Sequence, residues 1–111
     1  MVDLSYLEKF TKGDTKKMKR YINIYLNIAP ETFQKMEQYV NNKDWEQLRI
    51  KAHSLKPQAD YMGIQGLKAI LVDIEKNVGE ERFEKIHELY EKASAIHLKS
   101  TPLLKSFIDS A

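Results

Sequence analysis

The run "MKRYINIYLNIAPETFQKMEQYV", residues 18–40, decides the fold because one apolar face can be followed through all of it. Its apolar residues recur in steps of four and three, the spacing that puts side chains on one side of an α-helix: Met18, Ile22, Tyr25, Ala29, Phe33, Met36 and Val40. Pro30 lies inside the run and lacks the amide that would bond the Leu26 carbonyl. The phase of the face is the same on both sides of Pro30, which predicts a kinked but continuous helix.

Short segments bound this helix on both sides. Before it, "DLSYLEKF" is a short amphipathic stretch, which Gly13 is predicted to end. Asp14 then stands where an N-cap residue accepts hydrogen bonds from the free amides of the next helix. After it, "NNKD" breaks the chain, and Asp44 is the predicted cap of the helix that follows.

Three further helices are predicted from stripes with the same spacing. The first stripe is Trp45, Leu48, Ala52, Leu55, Ala59 and Met62, and Gly63 ends that helix. The second is Ile64, Leu67, Ile70 or Leu71, and Ile74. The third begins near Glu81 and contains Phe83, Ile86, Tyr90, Ala93 and Ile96. The sequence leaves open whether this last helix continues past Pro102 or ends and restarts with Thr101 as its cap.

Four long amphipathic helices joined by short connections predict an all-α fold, an antiparallel four-helix bundle with a short N-terminal helix packed across one end. We expect residues 1–111 to form a single domain, since this length fits one core and leaves little room for a second.

The composition excludes several classes of function. The chain has no cysteine, which excludes disulfides and thiolate metal sites. Its net charge is +2, with basic and acidic residues interleaved, so we expect no nucleic-acid partner. No stretch has the pattern of a signal peptide or a membrane span. These features predict a cytoplasmic, monomeric binding or carrier module.

The histidine of the predicted helix that runs from Trp45 to Met62 is expected to face solvent. At about 100° per residue, His53 lies roughly 130° from the middle of the core stripe. Arg49, Lys56 and Asp60 share its flank, and Pro57 lies nearly opposite the core. Lys56 and Pro57 occupy the positions where a second metal ligand would be needed, so no metal site is predicted.

Two interpretations of His53 remain at this point: a surface histidine without a role, or a nucleophile for a phosphoryl group. A neutral imidazole nitrogen can attack phosphorus, and the Lys56 ammonium, with Arg49 as a second candidate, can lie beside the phosphate oxygens. On an open helix face the remaining catalytic groups would have to come from a partner protein.

The stretch "AHSLKPQADYMGIQGL", residues 52–67, resembles the signature of histidine-containing phosphotransfer (HPt) domains. That signature has a small residue, the phosphoacceptor histidine, a lysine three residues on, a glycine ten residues after the histidine and a leucine four beyond. Here these residues are Ala52, His53, Lys56, Gly63 and Leu67. The resemblance extends upstream through the N-terminal segments, and the last helix fits by length and pattern.

The resemblance implies a carrier that relays phosphoryl groups between receiver-domain aspartates and is not itself an enzyme. His53 would be the phosphoacceptor and Lys56 would steady the phosphate, with Arg49 and Gln58 as further candidates. The partners implied are response-regulator receiver domains, with those of a hybrid sensor kinase among them. The receiver supplies the aspartate and Mg²⁺, and the carrier binds no cofactor itself.

One position departs from the family pattern: Pro57 stands where glycine is usual. A rival hypothesis therefore stays open, in which the chain is a pseudo-HPt module that binds a receiver or kinase without phosphotransfer. The residues we assign to partner docking are Leu4, Leu7, Pro57, Asp60 and Gly63. His87 and His97 match no motif and are expected at the surface or its boundary.

Overall fold

The computed structural model describes residues 1–110, which contain helices and no strand. The helices are α1 (Ser5–Phe10), α2 (Thr15–Asn41), α3 (Trp45–Tyr61), α4 (Gln65–Gly79) and α5 (Ile86–Ser110), with a 3-10 turn at Phe83–Lys85 before α5. Each of the four long helices packs against two of the others, and α3 and α4 share the most extensive contact. The result is an elongated helical bundle of 43 × 20 × 19 Å.

The predicted stripes form most of the core. All seven residues of the stripe on α2 are buried, and on α3 only Trp45 is half-exposed. On α4, Leu71 rather than Ile70 points fully inward. On α5, Ile96 is only partly buried because the buried face continues through His97, Ser100 and Leu104. The expectation that His97 lies at the surface or its boundary is therefore wrong.

The three prolines do not interrupt their helices. Pro30, Pro57 and Pro102 each lie inside a continuous helix, with their rings exposed to solvent. The loss of a backbone amide destabilises a helix least on its solvent-facing side, because water can bond the carbonyl that is left without a partner. This confirms the continuous α2 and resolves the open question about Pro102: α5 runs through it without a new cap.

Of the two predicted caps, only one bonds through its side chain. The Asp14 carboxylate accepts a hydrogen bond from the Lys17 amide at 3.1 Å. Asp44 occupies the cap position of α3, but its side chain makes no capping hydrogen bond.

Gly63 ends α3 in a Schellman motif. Its backbone has φ +67°, and the Gly63 and Ile64 amides donate to the Asp60 and Ala59 carbonyls at 3.0 and 2.9 Å. The N-terminal segment lies directly against this turn, where the Asp3 amide donates to the Gly63 carbonyl at 3.2 Å. A Cβ at residue 63 would overlap the backbone of Asp3. Only glycine therefore allows both the turn and the contact, which sets the position of α1 across the end of the bundle.

His97 is the least expected member of the core. Its ring stacks on Phe33 with centroids 4.4 Å apart, and Nδ1 is buried without a hydrogen-bond partner among residues 1–110. Burial lowers the pKa of His97 below its ordinary value because the charged ring would lose its hydration.

This lowered pKa predicts a stability that depends on pH. The unfolded chain binds a proton at His97 below about pH 6.5, whereas the folded chain resists protonation. The free energy of unfolding should therefore fall as the pH drops from about 6.5 toward the lower folded-state pKa. Urea titrations followed by the fluorescence of Trp45, the only tryptophan, would measure it. His97→Phe should flatten the slope, and His87→Phe at an exposed position should leave it unchanged. Equal slopes in all three proteins would contradict the prediction.

Candidate functional site

His53 projects from the middle of α3 into solvent, as its helical phase predicts. Its side chain is 67% exposed, and it is the most exposed member of a small polar cluster between α3 and α4. The core residues Ala52 and Leu55 on either side of it anchor the helix and fix the direction of the ring. One face of the imidazole is thus open to a second protein.

The cluster is organised by Glu75, a residue of α4 that the sequence analysis did not single out. Glu75 Oε2 lies 3.1 Å from His53 Nδ1, and Glu75 Oε1 lies 2.7 Å from Lys56 Nζ. A carboxylate can only accept, so His53 Nδ1 carries the proton and donates it to this bond. In the neutral ring the lone pair is then on Nε2, which is the nucleophilic nitrogen.

The Glu75 carboxyl is ionised at neutral pH. Its side chain is only 18% exposed. Burial by itself raises the pKa of Glu75, but the hydrogen bonds from Lys56 and His53 outweigh burial and hold that pKa below its ordinary value. The negative charge faces the imidazole and would stabilise positive charge that develops on the ring.

A signal for Glu75 was present in the sequence. His53 lies ten residues before Gly63, and Glu75 lies twelve residues after it. In two helices that turn back at Gly63, residues at nearly equal distances from the turn come side by side. The site could be found once this pairing of α3 and α4 was assumed, whereas the phase of one helix alone does not reveal it.

Within residues 1–110, neither of the other candidates for phosphate contact is hydrogen-bonded to the His53 ring. Arg49 is bonded to Glu46 on its own helix, with Nε 3.1 and 3.2 Å from the two carboxylate oxygens. Gln58 is half-buried, and its position on the helix is turned from that of His53 by about 140°. Lys56 is therefore the one predicted cation that shares a contact with the histidine, through Glu75.

Four of the five residues assigned to docking are engaged in contacts within the fold. Leu7 is 1% exposed, and Leu4 packs against the core at the cap position before α1, so the side chain of Leu7 is closed to a partner and that of Leu4 largely so. Gly63 is buried beneath the N-terminal segment. Asp60, at the surface, bonds Lys68 Nζ and Gln65 Nε2 at 3.2 and 3.1 Å. Pro57 alone stands exposed and free of such contacts.

The outer face of α1 carries two exposed aromatic rings. Tyr6 and Phe10 contact Tyr61 of α3, with centroids 5.6 and 6.0 Å away, and Phe10 contacts Tyr21 of α2 at 5.6 Å. All four are more than a third exposed. We call these four residues the aromatic surface. Ile24, Ile28 and Ile50 extend exposed apolar area along α2 and α3.

Glu75→Gln tests the arrangement around His53. The substituted amide oxygen can still accept from Nδ1, but the variant loses the charge that pairs with Lys56 and would stabilise a positive ring. We expect phosphoryl transfer to slow by about tenfold, the effect of one charge-assisted hydrogen bond. ¹⁵N spectra of the His53 ring should also show a larger share of the other tautomer.

The matched control for this change is Glu46→Gln, which removes the carboxylate bonded to Arg49 on α3. It should change neither the transfer rate nor the ring spectrum. Wild-type values for both measurements in Glu75→Gln would show that Glu75 does not act on His53.

Comparison with known protein families gives a match over most of the chain. A model described as the Hpt domain matches residues 20–98, which include His53, Lys56 and Glu75. No curated protein matches the chain. Within residues 1–110, no helix is long and apolar enough to cross a membrane.

Proposed function

The chain belongs to the Hpt domain family, whose members carry phosphoryl groups in phosphorelays, and from this premise we propose that it relays a phosphoryl group between receiver-domain aspartates through His53. The observation that carries the proposal is the bond from His53 Nδ1 to Glu75 Oε2 at 3.1 Å. It leaves Nε2 unprotonated on an exposed ring, which is what a phosphoryl acceptor requires.

The transfer step follows from this geometry. The Nε2 lone pair forms a bond to phosphorus while the bond from phosphorus to the aspartyl oxygen of the receiver breaks, and the aspartate leaves as a carboxylate. The Nδ1 proton stays in place, so the phosphorylated ring is positively charged next to the ionised Glu75. Reversal of the same step passes the group to a second receiver.

Lys56 has two anionic partners available during transfer. In the free protein its ammonium pairs with Glu75 at 2.7 Å. A phosphoryl group on Nε2 would place further oxygens near the same flank of α3, and a flexible lysine can reach them as a point charge. Mg²⁺ and the remaining catalytic groups are assigned to the receiver, as the Hpt domain is a phosphocarrier and not a catalyst.

The proposal also includes the wider organisation. The short connections between α2 and α3 and between α3 and α4 support an antiparallel four-helix arrangement with α1 across one end, formed by residues 1–111 as one domain. A receiver would dock over Pro57 and the exposed apolar residues near it. The carrier would act as a cytoplasmic monomer, with receivers of a hybrid sensor kinase among its candidate partners.

A pseudo-HPt module remains the second candidate because Pro57 replaces the usual glycine. Such a module would bind a receiver or kinase without accepting phosphate. The proline removes the amide that would otherwise bond the His53 carbonyl, so the backbone at the acceptor differs from the common pattern.

Direct location of the phosphate tests the proposal. The wild-type chain would be incubated with Mg²⁺ and a receiver domain loaded from acetyl phosphate. We expect an acid-labile, alkali-stable phosphate, and tandem mass spectrometry should place it on residue 53 and not on His87 or His97. Binding of the receiver with no phosphate on the chain would favour the pseudo-HPt module instead.

A further inference from the structure

The charges of the chain are segregated along the bundle although the net charge is only +2. Residues 9–20 contain six basic residues and one acidic residue, a local net charge of +5. Residues 80–91 contain five acidic and two basic residues, a local net charge of −3. The contact of Phe10 with Tyr21 and Tyr61 places the first segment at the end where α3 finishes. The stacking of Trp45 on Phe83 places the second at the end where α3 starts.

Most of the cations at the positive end are not neutralised. We call Lys9, Lys12, Lys16, Lys17 and Arg20 the basic corner, and all five are exposed. Among residues 1–110, none of these five forms an ion pair. The acidic residue of the segment, Asp14, already accepts the Lys17 amide as a helix cap.

This placement does not serve the stability of the fold. The first turn of α2 contains no acidic residue, and two lysines of the basic corner lie there. The amino end of a helix carries partial positive charge, so cations at that end are unfavourable. A sequence that breaks a local rule in this way often does so for a function.

The basic corner borders the aromatic surface. Lys17 precedes Tyr21 by one turn of α2, Arg20 precedes Ile24 in the same way, and Lys9 lines a cavity together with Tyr6. An apolar patch with a charged rim is the usual composition of a protein interface. Charge on the rim governs the association rate and the choice of partner more than the final affinity.

The aromatic surface also lies within reach of a partner seated on His53. Tyr61 follows His53 by eight residues on α3, about 12 Å along the helix axis. A standard interface covers about 800 Å² on each partner, a patch roughly 16 Å in radius. Tyr61 is also turned about 80° around α3 from His53, so a domain of this size centred over His53 would reach the edge of the aromatic surface and the cations that border it.

We infer that the basic corner selects partners whose docking face carries an acidic rim, and that it draws such protein domains onto the aromatic surface. The inference rests on the proposed function for the identity of the partner as a receiver domain. The aromatic rings contact one another and lie against the bundle. They therefore suit contact with the surface of a folded protein better than insertion into a lipid bilayer. The negative charge of residues 80–91, at the opposite end of the bundle, strengthens this attraction. It orients the molecule so that the basic corner faces a negatively charged partner.

The test compares two charge-reversal variants of equal net change. The first, Lys12→Glu/Lys17→Glu/Arg20→Glu, alters the basic corner, and the carboxylate that Lys17→Glu introduces suits the amino end of α2, so folding should be preserved. The second, Lys76→Glu/Lys85→Glu/Lys99→Glu, changes exposed lysines outside it. Each would receive phosphate from an acid-rimmed receiver and from a receiver with a neutral rim. Binding of the unphosphorylated receivers would be measured by calorimetry.

The first measurement is made in about 20 mM salt, where the electrostatic screening length exceeds roughly 20 Å. There, the variant with the reversed basic corner should lose about tenfold or more in kcat/KM for phosphoryl transfer from the acid-rimmed receiver. The loss should vanish in about 0.5 M salt, and the transfer rate at saturation should not change. The control variant and the neutral-rimmed receiver should show much smaller effects. If the acid-rimmed receiver bound through the basic corner but no phosphate were transferred, the inference would be supported and the proposed function contradicted.

Three outcomes would overturn the inference. Equal losses in the two variants would mean that only net charge matters. Salt-independent transfer and binding would exclude steering by the basic corner. Tighter corner-dependent binding to phosphatidylserine vesicles or to duplex DNA than to the acid-rimmed receiver would assign the corner to a membrane or to nucleic acid.

Discussion

His53→Gln is expected to abolish acceptance of phosphate from a loaded receiver. The lone pair of an amide nitrogen is delocalised into the carbonyl, so glutamine offers no nucleophile at the place of Nε2. The folded state should be little affected because the side chain is 67% exposed and an amide can still donate to Glu75. Radiolabelled phosphate transferred from the receiver, counted on the separated carrier, measures the loss.

His87→Gln is the matched control for this change. His87 is 70% exposed on α5, and its Nε2 lies 3.6 Å from Glu91, so it too is a surface histidine beside a carboxylate. It lacks a lysine bound to the same carboxylate among residues 1–110. His87→Gln should accept phosphate as the wild type does. Label that persisted on His53→Gln would move the acceptor to another residue and remove the basis of the proposal.

Gly63→Ala is expected to lower the free energy of unfolding by roughly 2–5 kcal/mol, the range of substitutions that strain the backbone and expose a core side chain. Part of the loss, about 1–2 kcal/mol, comes from the left-handed backbone at φ +67°. The rest comes from the Cβ, which would displace the backbone of Asp3 and with it the buried Leu7. Urea denaturation measures the total.

Gly13→Ala separates these two contributions. Gly13 has φ +75°, but a Cβ there would meet no atom within 4 Å. It should show the backbone loss alone. Hydrogen exchange adds a local readout, since the amides of α1 should lose protection in Gly63→Ala and keep it in Gly13→Ala. If both variants lost the same stability, the contact between Asp3 and Gly63 would not hold α1 in place.

The fold was largely predictable from the sequence because the core depends on spacing. Apolar residues at helical intervals identify α2, α3 and α4 and their inward faces without any knowledge of neighbours. Apolar spacing alone does not identify the buried face of α5 after Ala93, because that face contains His97 and Ser100. Stacking on Phe33 makes the buried His97 acceptable there, and this contact depends on a second helix, which the sequence of α5 does not reveal. Ser100 is satisfied within α5, where its hydroxyl donates to the Ile96 carbonyl, but a polar residue at that spacing does not indicate a buried face.

The site was predictable only where one helix determines it. Helical phase correctly places His53 and Pro57 at the surface of α3. It gives no information about Glu75, which comes from a second helix, or about the bond from Arg49 to Glu46 on α3. Of the two leucines assigned to docking at the N-terminal helix, Leu7 is buried and Leu4 packs against the core, and a six-residue helix has too few turns to predict which side packs.

His53, Lys56 and Glu75 all belong to one helical hairpin, α3 and α4, joined by a connection of only three residues. The ring and the carboxylate that orients it are 22 residues apart in the chain. Contacts of such low sequence separation close quickly during folding and need little loop-closure entropy. The proposed phosphoacceptor site is therefore local in contact order, and sequence drift in α1 can change the aromatic surface while the geometry around His53 is retained.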